Sequence, residues 1–157
     1  MTEEAWPGFA GRIGTGIHIK PIRVYFEDTD AGGVVYHARY AAFCERARSD
    51  CLRLLGIRQS QLENLNFVVR RMVCDFLGPA RLDDLLEVHT RFIGMTGARI
   101  EIGQDVMRDG ALLFRAAVTV ALVDREGRPK RFPKEMTARF SPLTGASGGP
   151  TGQDGSD

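Results

Sequence analysis

Just after Pro21 the chain alternates with period two. Ile22, Val24 and Phe26 fall on one face and Arg23, Tyr25 and Glu27 on the other, which predicts a strand. The stretch Asp28-Thr29-Asp30-Ala31-Gly32-Gly33 ends it with acidic and glycine residues. From about Ala38 to Leu55 the period lengthens. Tyr40, Cys44, Ala47, Cys51 and Leu54 recur at steps of three and four, with Phe43 and Leu55 widening the stripe, so one amphipathic helix is predicted. Gly56 stands where a C′ glycine stops a helix.

Four further runs read as strands. The first spans Phe67 to Leu77 and ends at Gly78-Pro79. Leu85 to Ile93 alternates Leu86, Val88, Thr90 and Phe92 against Leu85, Glu87, His89 and Arg91. Ala98 to Arg108 and Leu112 to Val123 are joined across Asp109-Gly110, a two-residue hairpin signal. The last run is apolar on both faces and predicts a central strand. Pro133 to Phe140 is expected to add a short closing turn of helix. A strand, one long helix and then a meander predict an α+β fold with an antiparallel sheet, the helix lying along its concave face. The pattern leaves more than one such fold open.

At 157 residues, 43% hydrophobic and 26% charged, the chain suits one compact domain. Residues 1–16 hold four glycines and no sustained apolar period, so they are expected to form a flexible extension. Residues 144–157 are expected to be a disordered glycine-rich tail, leaving an ordered domain over 17–143. A formal charge of +1 gives no global field for nucleic acid or anionic membrane. Three cysteines, Cys44, Cys51 and Cys74, form no C-x-x-C pair, which points away from a disulfide framework or a zinc site and toward a reducing, cytoplasmic compartment. Glu3 and Glu4 do not suit a signal peptide, and the run Ala116 to Val123 is too short to span a membrane.

The densest chemistry lies between Glu27 and His37. Asp28 and Asp30 stand two residues apart at a strand end, beside Gly32 and Gly33 and ahead of the helix. A carboxylate in that setting acts as nucleophile or general base, and the glycines let backbone approach a ligand. No Ser, Thr, Asp or Asn adjoins Ala38 as a cap, so first-turn amides such as that of His37 are free to hold a developing oxyanion. The plainer alternative is an acidic turn whose carboxylates merely complement the helix dipole.

The run Phe26 to His37 (F-E-D-T-D-A-G-G-V-V-Y-H), followed by Glu45-Arg46-Ala47-Arg48, resembles the 4-hydroxybenzoyl-CoA thioesterase superfamily. The resemblance is closest to the acyl-CoA thioesterases associated with the Tol–Pal system. Phe67-Val68-Val69-Arg70, Pro79 to Asp84 and Pro133-Lys134 extend it over residues 21–140. It implies a hotdog fold, an antiparallel sheet wrapped around one long central helix. It also implies hydrolysis of an acyl-CoA thioester to free acid and CoA, without metal or cofactor. Asp30 falls on the catalytic carboxylate of the family, which attacks the thioester carbonyl or activates water, and the His37 amide on the carbonyl-polarising position. The His37 side chain is expected to support the site, and Gly33 and Tyr36 to contact substrate. Homodimers or homotetramers with sites between subunits are implied, together with a functional link to the Tol–Pal envelope system. An aromatic substrate of the 4-hydroxybenzoyl type is the nearest alternative, and a non-catalytic acyl-carrier or envelope-assembly partner the next.

Other residues read as structural. Asp28 is expected to hydrogen-bond the turn. Glu45 with Arg48 and Arg46 with Asp50 are spaced as helix surface pairs. His18 and His89 are expected at the surface. Arg125 to Lys134 carries five basic residues, and these, with Arg70 and Arg71, are candidates either for CoA phosphates or for a solvated basic surface. Gly145-Ala146-Ser147-Gly148-Gly149 has the form G-x-S-x-G but lacks a predicted strand and helix around it.

Overall fold

The computed structural model describes residues 2–144, so the G-x-S-x-G stretch and most of the predicted tail lie outside the described residues. The elements in order are β1 (Arg12–Gly14), β2 (Ile17–Arg23), α1 (His37–Leu54), β3 (Asn66–Phe76), β4 (Leu85–Thr96), β5 (Arg99–Arg108), β6 (Ala111–Val123), α2 (Lys134–Arg139) and α3 (Ser141–Thr144). The strands form one antiparallel sheet in the order β1-β2-β4-β5-β6-β3. This is the α+β arrangement that the pattern and the resemblance imply.

Local chemistry fixes the key junctions. Asp109 and Gly110 both take left-handed backbone, φ 49° and 81°, which matches a tight turn to the twist of β5 and β6. β6 is flanked by β5 and β3, the inner position its apolar run predicts, and buries Ala116, Val118 and Val120 while Arg115 and Ala117 on its other face are exposed. Among the described residues β3 pairs with β6 alone, which leaves its other edge open. The helix stripe packs Tyr40, Phe43, Cys44 and Ala47 against Val88, Val106 and Val118, while Cys51 and Leu55 join Ile100, Leu122 and Phe140 in a second cluster. Leu54 does not join the stripe and is 43% exposed. Asp50 is buried instead, neutralised by Lys20 at 3.1 Å and Arg53 at 3.0 Å.

Four expectations need correction. The strand predicted after Pro21 begins at Ile17 and ends at Arg23, with Pro21 inside it. Past Ile19, β2 has a neighbour on one side only, where a residue without an N–H is tolerated. Phe26 leaves the strand altogether: it sits in the single 3-10 turn Phe26–Asp28, 84% exposed, because the Asp28 carboxylate accepts the Tyr25 N–H and bends the chain. The sheet also starts earlier than residue 17, since β1 lies within the predicted extension and pairs Arg12 with Ile19.

That N-terminal hairpin explains the third correction. His18 is fully buried, its Nε2–H donating to the Ala10 carbonyl at 2.8 Å. Gly11 allows this close approach with φ 80°, since a Cβ there would stand 2.2 Å from the Ile19 carbonyl oxygen. Lys20 fastens the same segment, reaching the Phe9 carbonyl and lying 4.8 Å from the centre of its ring. Last, the predicted helix surface pairs do not form. Arg48 turns inward to Gln104 at 2.9 Å, Glu45 accepts from Ser49 at 2.8 Å, and Asp50 faces Lys20 rather than Arg46.

Candidate active site

The segment from Asp28 to Tyr36 folds back on itself. Tyr36 N–H donates to the Asp28 carbonyl at 2.9 Å, Thr29 bridges Val35, and Asp30 N–H donates to Val34 at 2.9 Å. The tip closes where Gly33, at φ 76°, donates to the Asp30 carbonyl at 3.0 Å. Asp30 Oδ1 accepts the Gly32 N–H at 2.8 Å, a local turn that aims its exposed carboxylate outward.

Asp28 does a different job two residues earlier. It is 1% exposed, takes the Tyr25 amide on Oδ2 at 2.8 Å, and receives Arg39 on Oδ1 from Nε at 2.9 Å and Nη2 at 2.7 Å. This two-point contact ties the loop to the first turn of α1. One carboxylate of the pair is thus a strut and the other is free for chemistry.

A second loop clamps the first. Val35 N–H donates to the Ala80 carbonyl at 2.8 Å, Val34 bridges Arg81, and Ala80 N–H donates to the buried Tyr40 hydroxyl at 3.1 Å. Asp84 stiffens that loop by accepting the Arg81 amide at 2.8 Å and Arg108 at 2.7 Å. Burial opposes ionisation of Asp84, but those two donors outweigh it and hold the carboxyl below its ordinary value. Arg39, Tyr40 and Ala80 were not singled out from sequence. Tyr40 did stand in the apolar stripe carrying a hydroxyl that demands a partner once buried.

α1 begins at His37 with Tyr36 as its N-cap, extended and without a side-chain cap. Among the described residues the His37 amide has no acceptor. The His37 ring lies 4.4 Å from the Tyr36 ring and 6.4 Å from that of Phe76, and Tyr36 is 47% exposed. The structure therefore brings Asp30, Gly33, Tyr36 and His37 together at one exposed end of the molecule, beside the last residue of β3. The arrangement offers a free carboxylate and an open amide at a helix start, the components for attack on a polarised carbonyl.

Cys44 and Cys51 offer no rival nucleophile, since burial pushes both thiols up to about 12. A cavity of about 260 Å³ lies elsewhere, along the second half of α1, and no residue between Glu27 and His37 lines it. In the basic segment, Asp124 takes Arg128 at 3.0 Å and Lys130 at 3.8 Å, which leaves Arg125, Arg131 and Lys134 exposed outside that knot. Arg70 and Arg71 are exposed in mid-β3. Among the described residues no helix is long and apolar enough to cross a membrane.

Comparison with known proteins gives the family and the fold. The thioesterase superfamily profile matches residues 32–114. The acyl-CoA thioesterase YbgC of Haemophilus influenzae is 49% identical over 127 residues, covering 78% of this chain and 93% of that protein. The acyl-CoA thioester hydrolase YbgC of Escherichia coli O6:H1 is 46% identical over 124 residues, covering 76% and 92%. Among solved structures, a probable thioesterase from Bartonella henselae superposes with a TM-score of 0.73 at 43% identity, covering 74% of this chain and 99% of that one.

Proposed function

This chain belongs to the thioesterase superfamily, and from that premise we propose that it hydrolyses acyl-CoA thioesters with Asp30 as the working carboxylate. It is a thioester hydrolase. The observation that carries the assignment to Asp30 is the division of labour in the D-T-D loop: Asp28 is consumed by Arg39, whereas the Asp30 carboxylate is exposed and, among the described residues, held only by a backbone amide. The open His37 amide polarises the thioester carbonyl, and the CoA thiolate leaves without further assistance. Gly33 and Tyr36 contact the substrate, and the His37 ring, braced by Tyr36 and Phe76, borders the same space.

The open edge of β3 supports a homo-oligomer. Val69, Val73 and Phe76 are each about half exposed along it. Antiparallel pairing of two such edges sets the Phe76 end of one strand beside the Phe67 end of the other. The Asp30 loop of one subunit then faces the cavity of its partner, so each site is shared. On the strength of the motif resemblance we place this assembly, as dimer or tetramer, in the cytoplasm with a link to the Tol–Pal system.

Thiol release measured over short, long and aromatic acyl-CoAs tests the activity and ranks the substrates. Turnover on none of them would leave a non-catalytic acyl-binding role in its place.

A further inference from the structure

Most of the wall of the cavity beside α1 is apolar, from Leu52, Phe67 and Ile102 among others, while Glu45, Ser49 and Arg91 stand at its polar part. Among the polar residues one is anchored from within the core. Arg48 enters between the helix and the sheet and is held there by Gln104, a fully buried side chain. Gln104 is itself locked, donating to the Cys44 carbonyl and to the Thr90 hydroxyl at 3.0 Å each. The guanidinium position is thus built from inside the core rather than set by solvent.

Arg48 has five N–H donors, and among the described residues one of them is engaged. Among the described residues no carboxylate lies within ion-pair distance of it. Its neighbour Glu45, which also lines the cavity, accepts from Ser49 on Oε1 and lies beyond ion-pair distance of Arg48. The other arginine at the wall, Arg91, has its charge met by Asp105 at 3.3 Å. Burial accordingly weakens the hold of Arg48 on its proton, with Cys44 and Glu45 offsetting part of the effect. A half-buried cation with idle donors is a binding group awaiting an acceptor.

We propose that the cavity receives the acyl chain of the substrate and that Arg48 makes it favour chains ending in a carboxylate, the dicarboxylic acyl-CoAs. This rests on the acyl-CoA hydrolase reading above and refines its substrate class. An alkyl end would leave the guanidinium donors dry, whereas a carboxylate takes two of them side by side. A cavity of about 260 Å³ has room for an alkyl chain ahead of that carboxylate.

The test compares octanedioyl-CoA with octanoyl-CoA by thiol release, using the full chain in its native assembly. The expected kcat/KM is at least about tenfold higher for octanedioyl-CoA. In Arg48→Met that preference is lost, and in Arg48→Lys, which keeps the charge but not the paired donors, it is intermediate. Octanoyl-CoA favoured by the wild-type protein, or an unchanged ratio in Arg48→Met, overturns the inference and leaves the hydrolase reading standing. If neither thioester turns over, both fall as statements about catalysis. Calorimetry with free octanedioate and octanoate then judges Arg48 alone. Tighter octanedioate binding that Arg48→Lys weakens upholds the anion site, and equal binding of the two acids removes it.

Discussion

Arg39 meets Asp28 at 2.7 Å beneath the loop that carries Asp30, at a carboxylate whose side chain is only 2% exposed. Removing one partner of a buried pair strands the other. Asp28→Ala is therefore expected to lower stability by about 3 kcal/mol, read from urea unfolding. Turnover falls with it because the loop loses its tie to α1. Stability within experimental error of wild type would show that the pair is dispensable and that the backbone hairpin suffices.

Asp30 behaves in the opposite way. Its carboxylate is exposed and, among the described residues, bound only through Oδ1, so it contributes little to folding. Asp30→Asn is expected to cut thioester turnover at least about a hundredfold with the melting temperature unchanged. Asp30→Glu remains far below wild type as well, since one methylene moves the carboxylate away from a carbonyl fixed by the His37 amide. Full activity in a folded Asp30→Glu enzyme would shift suspicion to Glu45.

His18 sets an acid limit on stability. Its Nε2–H serves Ala10, and its Nδ1 is buried without a hydrogen-bond partner among the described residues. Protonation would place a second N–H there with nothing to accept it. Burial lowers the His18 pKa from its ordinary 6.5, against a smaller pull from the Ala10 carbonyl and from Asp50, with Lys20 adding to the lowering. The unfolded chain consequently takes up the proton first. Stability from this group is intact above pH 6.5 and is lost as pH falls from 6.5 toward the folded value. Scanning calorimetry at pH 7.5 and 5.5 should show a lower melting temperature at 5.5, with a smaller drop in His18→Gln. Equal drops in both proteins would assign the acid sensitivity elsewhere.

The free edge of β3 predicts the assembly state. Light scattering at micromolar concentration should give a mass of two or four chains. Val73→Lys places a charge on that edge and should shift the mass toward one chain while turnover declines in parallel. A monomer with wild-type turnover would contradict the shared site.

The parts of this fold legible in sequence are those governed by near neighbours. The bounds of α1, the hairpin at Asp109-Gly110 and the inner position of β6 all follow from local period or turn chemistry. What was not legible depends on partners far along the chain. Period two could not see that the Asp28 carboxylate would cap Tyr25 and turn Phe26 out to solvent. His18 is buried by a segment eight residues away, and the partner of Arg48 stands fifty-six residues beyond it. The candidate site divides along the same line. The D-T-D loop is a contiguous motif, whereas its clamp, Tyr40 to Ala80, spans forty residues and has no local signature.

Strand order also governs what the ribosome exposes. β4, β5 and β6 follow one another through two-residue turns, but β3, made before all three, finds its place only against β6. During synthesis β3 waits until Val123 has emerged, several seconds at roughly 5–20 residues per second. Through that interval Phe67, Val69, Met72 and Phe76 have no sheet to join, and both edges of the strand are open. Nascent chains on neighbouring ribosomes thus carry the same self-complementary segment unprotected at the same stage. Crowded synthesis therefore leaves β3 open to premature strand exchange.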